Sequence, residues 1–319
     1  QTFPLLSVAL GHSSIAAIIA AALAGRLMGV LVMFWLTALR LPFTGWPALC
    51  RAEIGPLLRF GGWVSVSGAV IPLLTIVDRL IIGSRLGAAA VTAYTVPFNL
   101  TQRFTYLPSA LNTTLFPRFS KTQASDNKNL MNQSVTSLIA IQTPFIVIAI
   151  LLMHPFLTLW IGTPLANKAA PVAITLLIGI WINGPSYPCY SYLQAIGRPD
   201  IMTKFYLVQL IPFLLFLWLI VGYLGILGAA IAWSFRMAAD ATAWLTASNS
   251  LAALKKPFIV TTPLIVASTL IASSRIDKTS YTILSLFILS ATVYICIIFL
   301  PNFIREKVPF LKHLFVKRN

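Results

Sequence analysis

TKFYLVQLIPFLLFLWLIVG, residues 203–222, runs for 20 residues with a single charge, Lys204, near its start. A helix crosses the roughly 30 Å hydrocarbon core of a bilayer with about 20 apolar residues, and only helices and closed barrels span it with every backbone group satisfied. The stretch therefore predicts a transmembrane helix. Comparable runs predict further spans at 13–39, 59–83, 89–116, 134–161, 170–195, 226–250, 257–273 and 281–300. The opening QTFPLLSVAL (1–10) has no initiator Met and no basic region ahead of its apolar residues, so it reads as the tail of an earlier span and not as a signal peptide. The chain thus reads as a piece cut within a helix.

Composition agrees. The 319 residues are 58% hydrophobic and 9% charged, with a mean hydropathy of +0.87, whereas soluble domains carry roughly 25% charged residues. The fold class expected is all-α, a polytopic transmembrane helical bundle.

A net charge of +16, from 23 Lys and Arg against 7 acids, would suit nucleic acid only if a water-facing basic surface existed. Here the charges sort by side of the membrane. Arg40, Arg51, Arg59, Arg118, Lys121, Lys128, Arg198, Lys204, Lys255, Lys256 and the five basic residues of the tail REKVPFLKHLFVKRN (305–319) fall on one side; Arg85, Lys168, Arg275 and Lys278 fall on the other. The positive-inside rule makes the richer side cytoplasmic and places the C-terminus there, against anionic membrane lipid. No nucleic-acid partner is expected. RLPFTGWPALCRAEIGPLL (40–58) mixes Pro, Trp46 and basic residues as a segment lying along the cytoplasmic interface does.

Cys50, Cys189 and Cys296 are far apart, and only His12, His154 and His313 are present. Neither a metal-ligand spacing nor a nucleophile–histidine–acid set can be assembled, so no metal, no catalytic residue and no enzyme are expected.

Pro72, Pro97, Pro108, Pro144, Pro185, Pro188 and Pro212 fall within predicted spans. Each removes a backbone hydrogen bond, a loss tolerated in membrane helices where neighbours or a cavity satisfy the freed groups, as in transporters; static packing kinks are the other reading. Ala17, Ala21, Gly25 and Gly29 form a small-residue stripe at every fourth position, and Gly225/Ala229 and Gly228/Ala232 repeat the pattern, predicting close helix contacts.

Ionisable groups at membrane depth are expensive and face a cavity or a partner. The candidates are Arg26, Asp78, Arg79, Arg103, Arg236 and Asp240. Arg103 lies mid-span beside Asn99 and Gln102 with no acid in helical reach, which suits either an anionic substrate in a water-filled cavity or a structural partner on another helix. Asp78 and Arg79 are adjacent, point about 100° apart and are expected to face different neighbours. Asp78 reads as a protonatable coupling site or as a structural partner. Arg236 and Asp240 are four apart, the spacing of an intrahelical ion pair. Arg26 sits between Gly25 and Gly29, where a bond to a carbonyl is the alternative to a cavity role.

The stretch 60–121 carries Asp78-Arg79, Gly83, Leu86-Gly87, Tyr94, Pro108-Ser109-Ala110 and Phe116-Pro117, followed by YLQAIGRPDI (192–201) and GILGAAIAWSFRMAADA (225–241). These resemble the polysaccharide flippases, the Wzx-like branch of the multidrug/oligosaccharidyl-lipid/polysaccharide exporter superfamily, over residues 13–250. The resemblance implies two six-helix lobes around a cavity that opens alternately to each side. On that plan 1–39 ends the first lobe, 40–58 is a cytoplasmic linker, 59–250 is the second lobe, 251–300 holds two additional helices and 301–319 is a basic cytoplasmic tail.

The implied function is translocation of an undecaprenyl-pyrophosphate-linked oligosaccharide from the cytoplasmic to the periplasmic leaflet of a bacterial inner membrane, for surface polysaccharide such as O-antigen. No cofactor is implied beyond an H+ or Na+ gradient, for which Asp78 and Asp240 are the coupling candidates. Arg103 would meet pyrophosphate or acidic sugars, Arg236 and Arg26 would add positive potential, and Asn99, Gln102 and Asn183 would bond sugar hydroxyls. A glycan polymerase or other pathway protein is the expected partner. A drug or cation exporter of the same fold, a membrane-bound glycan polymerase or ligase, and a structural subunit are the alternatives; the exporter would want cavity acids, and the polymerase a large periplasmic loop that is lacking here.

Overall fold

The computed structural model describes residues 14–40, 51–119, 124–274 and 278–299. Most of the expected linker 40–58, the tail 301–319 and the opening stretch 1–10 lie outside the described residues, as does Cys50. Among the described residues every regular element is helical, and residues 1–56 and 57–319 form two compact units. The first holds α1 (Ile15–Arg40), 26 residues that carry Arg26 and the expected small-residue stripe.

The second unit contains most of α2 (Arg51–Leu86), then α3 (Ala88–Thr101), a 3-10 turn (Gln102–Thr105), α4 (Tyr106–Phe119), α5 (Ala124–Ile161), α6 (Thr163–Asn183), a second 3-10 turn (Gly184–Ser186), α7 (Tyr187–Ala195), α8 (Pro199–Ala247), α9 (Leu251–Ser273) and α10 (Lys278–Phe299). Seven helical runs of the described residues are long and apolar enough to cross a membrane. The nine predicted spans reduce to seven for two reasons. The span 89–116 is broken into α3 and α4, each of 14 residues, and the spans 203–222 and 226–250 are joined within α8.

That join is sharp. The 49 residues of α8 would extend ~73 Å if straight, more than two hydrocarbon thicknesses. Gly225 instead adopts φ 59° and ψ −138°, a conformation essentially reserved for residues without Cβ. The chain folds back about it: Phe216 meets Phe235 with centroids 5.4 Å apart, the Arg236 guanidinium lies 5.4 Å from the Phe213 ring, Gln209 bonds Asp240, and Tyr206 meets Trp244 at 5.4 Å. The spacing of Gly225 and Ala229 predicts packing for both. Ala229 and Ala232 are indeed fully buried, but Gly225 is the joint of a helical hairpin.

In the core, α5 packs on α6, α9 and α10; α6 packs on α3 and on α8; and α4 packs on α7. At Gly179 α6 and α8 approach closely, since a Cβ there would stand 2.6 Å from Ser234 Oγ. That hydroxyl donates to Thr175 O at 2.8 Å, satisfying a polar group that lipid would not. Contacts at helix ends follow an up–down order. Thr203 bonds Trp63 O at 3.0 Å at one end, and Arg85 stacks 3.6 Å from the Trp218 ring at the other.

Candidate functional site

Both 3-10 turns interrupt helices at one place in the second unit, and a cavity of about 290 Å³ opens between them. Gln102, Thr105 and Pro108 come from the first break, and Asn183, Ser186 and Tyr187 from the second. Pro97 and Pro108 flank the first break, and Pro185 and Pro188 bracket the end of the second, so four of the expected span prolines mark these sites. Proline forfeits an amide donor and crowds the preceding turn, which is tolerated where the freed carbonyls meet water or protein polar groups. Ile71 and Thr75 of α2 contribute to the wall, and the α8 hairpin contributes Tyr206, Trp233, Arg236, Asp240 and Trp244.

The expected Arg236–Asp240 pair forms. Arg236 Nη1 lies 3.4 Å from Asp240 Oδ2, with both side chains almost wholly buried, and Gln209 Nε2 donates to Asp240 Oδ1 at 2.8 Å across the hairpin. The pair lowers the cost of placing either charge at membrane depth. Asn183 Nδ2 donates to Met237 O at 3.0 Å, tying the second helix break to α8. Three donors on cavity-lining side chains lack a partner among the described residues: Gln102 Nε2, Trp233 Nε1 and Arg236 Nε.

Arg103, Asn99 and Asp78, the other candidates of the second unit, are not among the residues that line this cavity. Arg103 is exposed on the first 3-10 turn, where its guanidinium donates to Tyr106 Oη and lies 5.6 Å from that ring. Asn99 is also exposed and accepts a 3.5 Å bond from Arg79 Nη2. Asp78 is fully buried, accepting from Tyr94 Oη at 2.8 Å and from the Arg79 amide at 2.7 Å. Arg79 caps Thr75 O at 3.1 Å and lies 4.6 Å over Phe98.

Asp78 and Arg79 therefore both face α3, contrary to the expectation that neighbours 100° apart meet different elements. The long arginine stem reaches round its own helix to Phe98 and Asn99 while the short aspartate points straight at Tyr94. Arg26 belongs to the first unit. Among the described residues no group of three His, Cys, Asp or Glu is arranged to hold a metal.

The site also contains residues that residue-type reasoning passed over: Gln209, Tyr187, Tyr190, Tyr206, Trp233 and Trp244. Gln209 had a signal, being the one polar side chain between Tyr206 and Tyr223. The aromatics had none, since in a membrane span they read as apolar filling.

A family model described as polysaccharide biosynthesis protein matches residues 2–166, just over half of the 319. A putative O-antigen transporter of Shigella flexneri is 29% identical over 230 residues, covering 72% of this chain and 55% of that protein. The lipopolysaccharide biosynthesis protein WzxC of Escherichia coli K12 is 28% identical over 160 residues, covering 48% of this chain and 32% of that protein. The chain thus spans about half the length, or less, of these curated relatives. No solved structure matches it significantly. An all-helical arrangement of the described residues with a cavity between broken helices, and a family match over more than half of the chain, lead to one conclusion: the chain belongs to the polysaccharide biosynthesis protein family.

Proposed function

We propose that this chain is part of a translocator that carries an undecaprenyl-pyrophosphate-linked oligosaccharide across the bacterial inner membrane, from the cytoplasmic to the periplasmic leaflet, for O-antigen or a related surface polysaccharide. No bond is made or broken; the work is alternating access, with the second unit acting as one lobe and its last two helices as additions to it. The C-terminus is cytoplasmic on this reading, following the distribution of Lys and Arg.

The observation that carries the proposal is the cavity itself. Two helices break at one depth and expose polar side chains there, at a cost in backbone bonding that a purely structural bundle has no need to bear. The curated relatives named for O-antigen transport and lipopolysaccharide biosynthesis supply the substrate class. Arg103, exposed and without an acid partner in its own turn, is the group proposed to meet pyrophosphate. Asp240, at the cavity wall and bonded to Gln209 and Arg236, is better placed than Asp78 to couple movement to an H+ or Na+ gradient.

The test is deletion of the complete gene followed by measurement of undecaprenyl-linked oligosaccharide on each leaflet of the inner membrane. Accumulation on the cytoplasmic leaflet, relieved by the wild-type gene, is expected. Normal distribution with unpolymerised glycan outside would assign the protein to polymerisation or ligation instead, and no change at all would point to export of drugs or ions.

A further inference from the structure

Among the described lining residues of the cavity the only charges are Arg236 and Asp240, and they are paired with each other. A diphosphate seeks uncompensated cations that present several donors. Here the one guanidinium is already committed to a carboxylate, and that carboxylate would repel a phosphate oxygen brought beside it. The lining carries polar groups among mainly apolar surface, and its formal charges cancel.

Its walls have a matching character. Tyr187, Tyr190, Tyr206, Trp233 and Trp244 line it, and side chains of this kind combine a flat apolar ring with a polar edge, the combination that accommodates a sugar, whose ring presents C–H groups on its faces and hydroxyls round its rim. Gln102 Nε2, Trp233 Nε1 and Arg236 Nε have no partner among the described residues, and a hydroxyl oxygen has lone pairs to accept from such donors. At about 290 Å³, the cavity sits near the lower end of small-molecule sites, with room for a single ring and not for a branched chain.

We propose that this cavity seats one uncharged sugar ring of the cargo, with the diphosphate bound elsewhere. The proposal rests on the transport reading above and narrows it, making Gln102, Tyr190 and the Arg236–Asp240 pair specificity determinants.

The test compares affinities of the complete protein in lipid nanodiscs for a short-chain polyprenyl diphosphate, for the same lipid bearing one neutral sugar (glucose, galactose, mannose or N-acetylglucosamine in turn), and for the lipid bearing glucuronic acid. At least one neutral sugar is expected to tighten binding about tenfold over the sugar-free lipid, the difference that one or two well-made hydrogen bonds supply. Glucuronic acid should tighten it less. In Gln102→Ala and in Tyr190→Phe the gain should fall severalfold. Monodisperse elution of each variant checks that it is folded.

Equal binding of sugar-bearing and sugar-free lipids by the wild type would overturn the proposal alone. So would a gain confined to glucuronic acid, or one left intact in both variants. Binding of none of these lipids would overturn the transport reading and this proposal with it.

Discussion

Replacing Asp240 by Ala removes the acceptor of two interactions, the 3.4 Å contact from Arg236 and the 2.8 Å bond from Gln209. The Arg236 side chain is only 6% exposed, so its guanidinium is left charged and unpaired where water cannot reach it freely. Breaking one side of such a pair costs about 3–5 kcal/mol, and the loss of Gln209's acceptor pushes the value toward the top of that range. Arg236→Met leaves the carboxylate with one neutral donor and should cost a similar amount. The double variant Arg236→Met/Asp240→Leu removes both charges together and should lie within about 2 kcal/mol of wild type, because the desolvation cost leaves with the charges. The coupling energy of the cycle is then several kcal/mol. Reversible denaturation of the detergent-solubilised protein, followed by tryptophan emission, measures it, and Trp233 and Trp244 lie on the same cavity wall as the pair. Additive single losses, with no recovery in the double variant, would refute the argument. They would mean that the two charges are solvated separately, and the neutrality of the cavity would go with them.

Other perturbations test other parts of the fold. Gly225→Ala places a Cβ at φ 59° and ψ −138° and should cost about 1–3 kcal/mol, read as a lowered unfolding midpoint. Gly179→Ala puts a methyl group 2.9 Å from Ser234 Cα; forcing α6 away from α8 should cost about 1–3 kcal/mol, checked by the same measurement. Tyr94→Phe deprives the buried Asp78 carboxylate of its 2.8 Å donor and should cost about 1–3 kcal/mol, whereas Tyr106→Phe, at an exposed position, should be nearly neutral. Arg103→Ala should abolish translocation at normal expression while leaving the unfolding midpoint unchanged within error, and unimpaired translocation would remove Arg103 from the site.

Hydrophobic runs of the right length made the helices legible, and the four-residue spacing of Arg236 and Asp240 made their pair legible, since both follow from local geometry. The joint at Gly225 was not legible. Small residues at every fourth position signal close approach whatever the backbone does, and nothing in that spacing says that one of them takes a positive φ. The break at 102–105 was signposted by Pro97 and Pro108, but periodicity continues through it, so hydropathy reads one span where the backbone makes two short helices. Asp78 and Arg79 illustrate a different limit: angular separation on a helix describes where Cβ points, and a four-atom stem ends far from its Cβ. The cavity aromatics were invisible because their function depends on which elements converge, which is a tertiary fact.

The convergence has a physical reason. A polar side chain in a membrane bundle is tolerable beside another polar group or beside water, so polar positions scattered along separate helices are costly while the same positions at one depth satisfy each other. Gln209 and Asp240 are brought to one depth by the hairpin, Asn183 is fixed to α8 through Met237 O, and Gln102 arrives on a turn whose backbone is already irregular. Once assembled, these groups line a cavity, and three donors on its lining side chains have no partner among the described residues. A bundle that evolved only to be stable would fill that space with leucine and retire the donors, because well-packed apolar replacements of buried polar sets are neutral or favourable. The persistence of an open, uncharged, aromatic-walled space among unpaired donors is therefore an argument for a polar ligand that visits it, and the absence of free charge argues that the ligand presents hydroxyls there rather than phosphate.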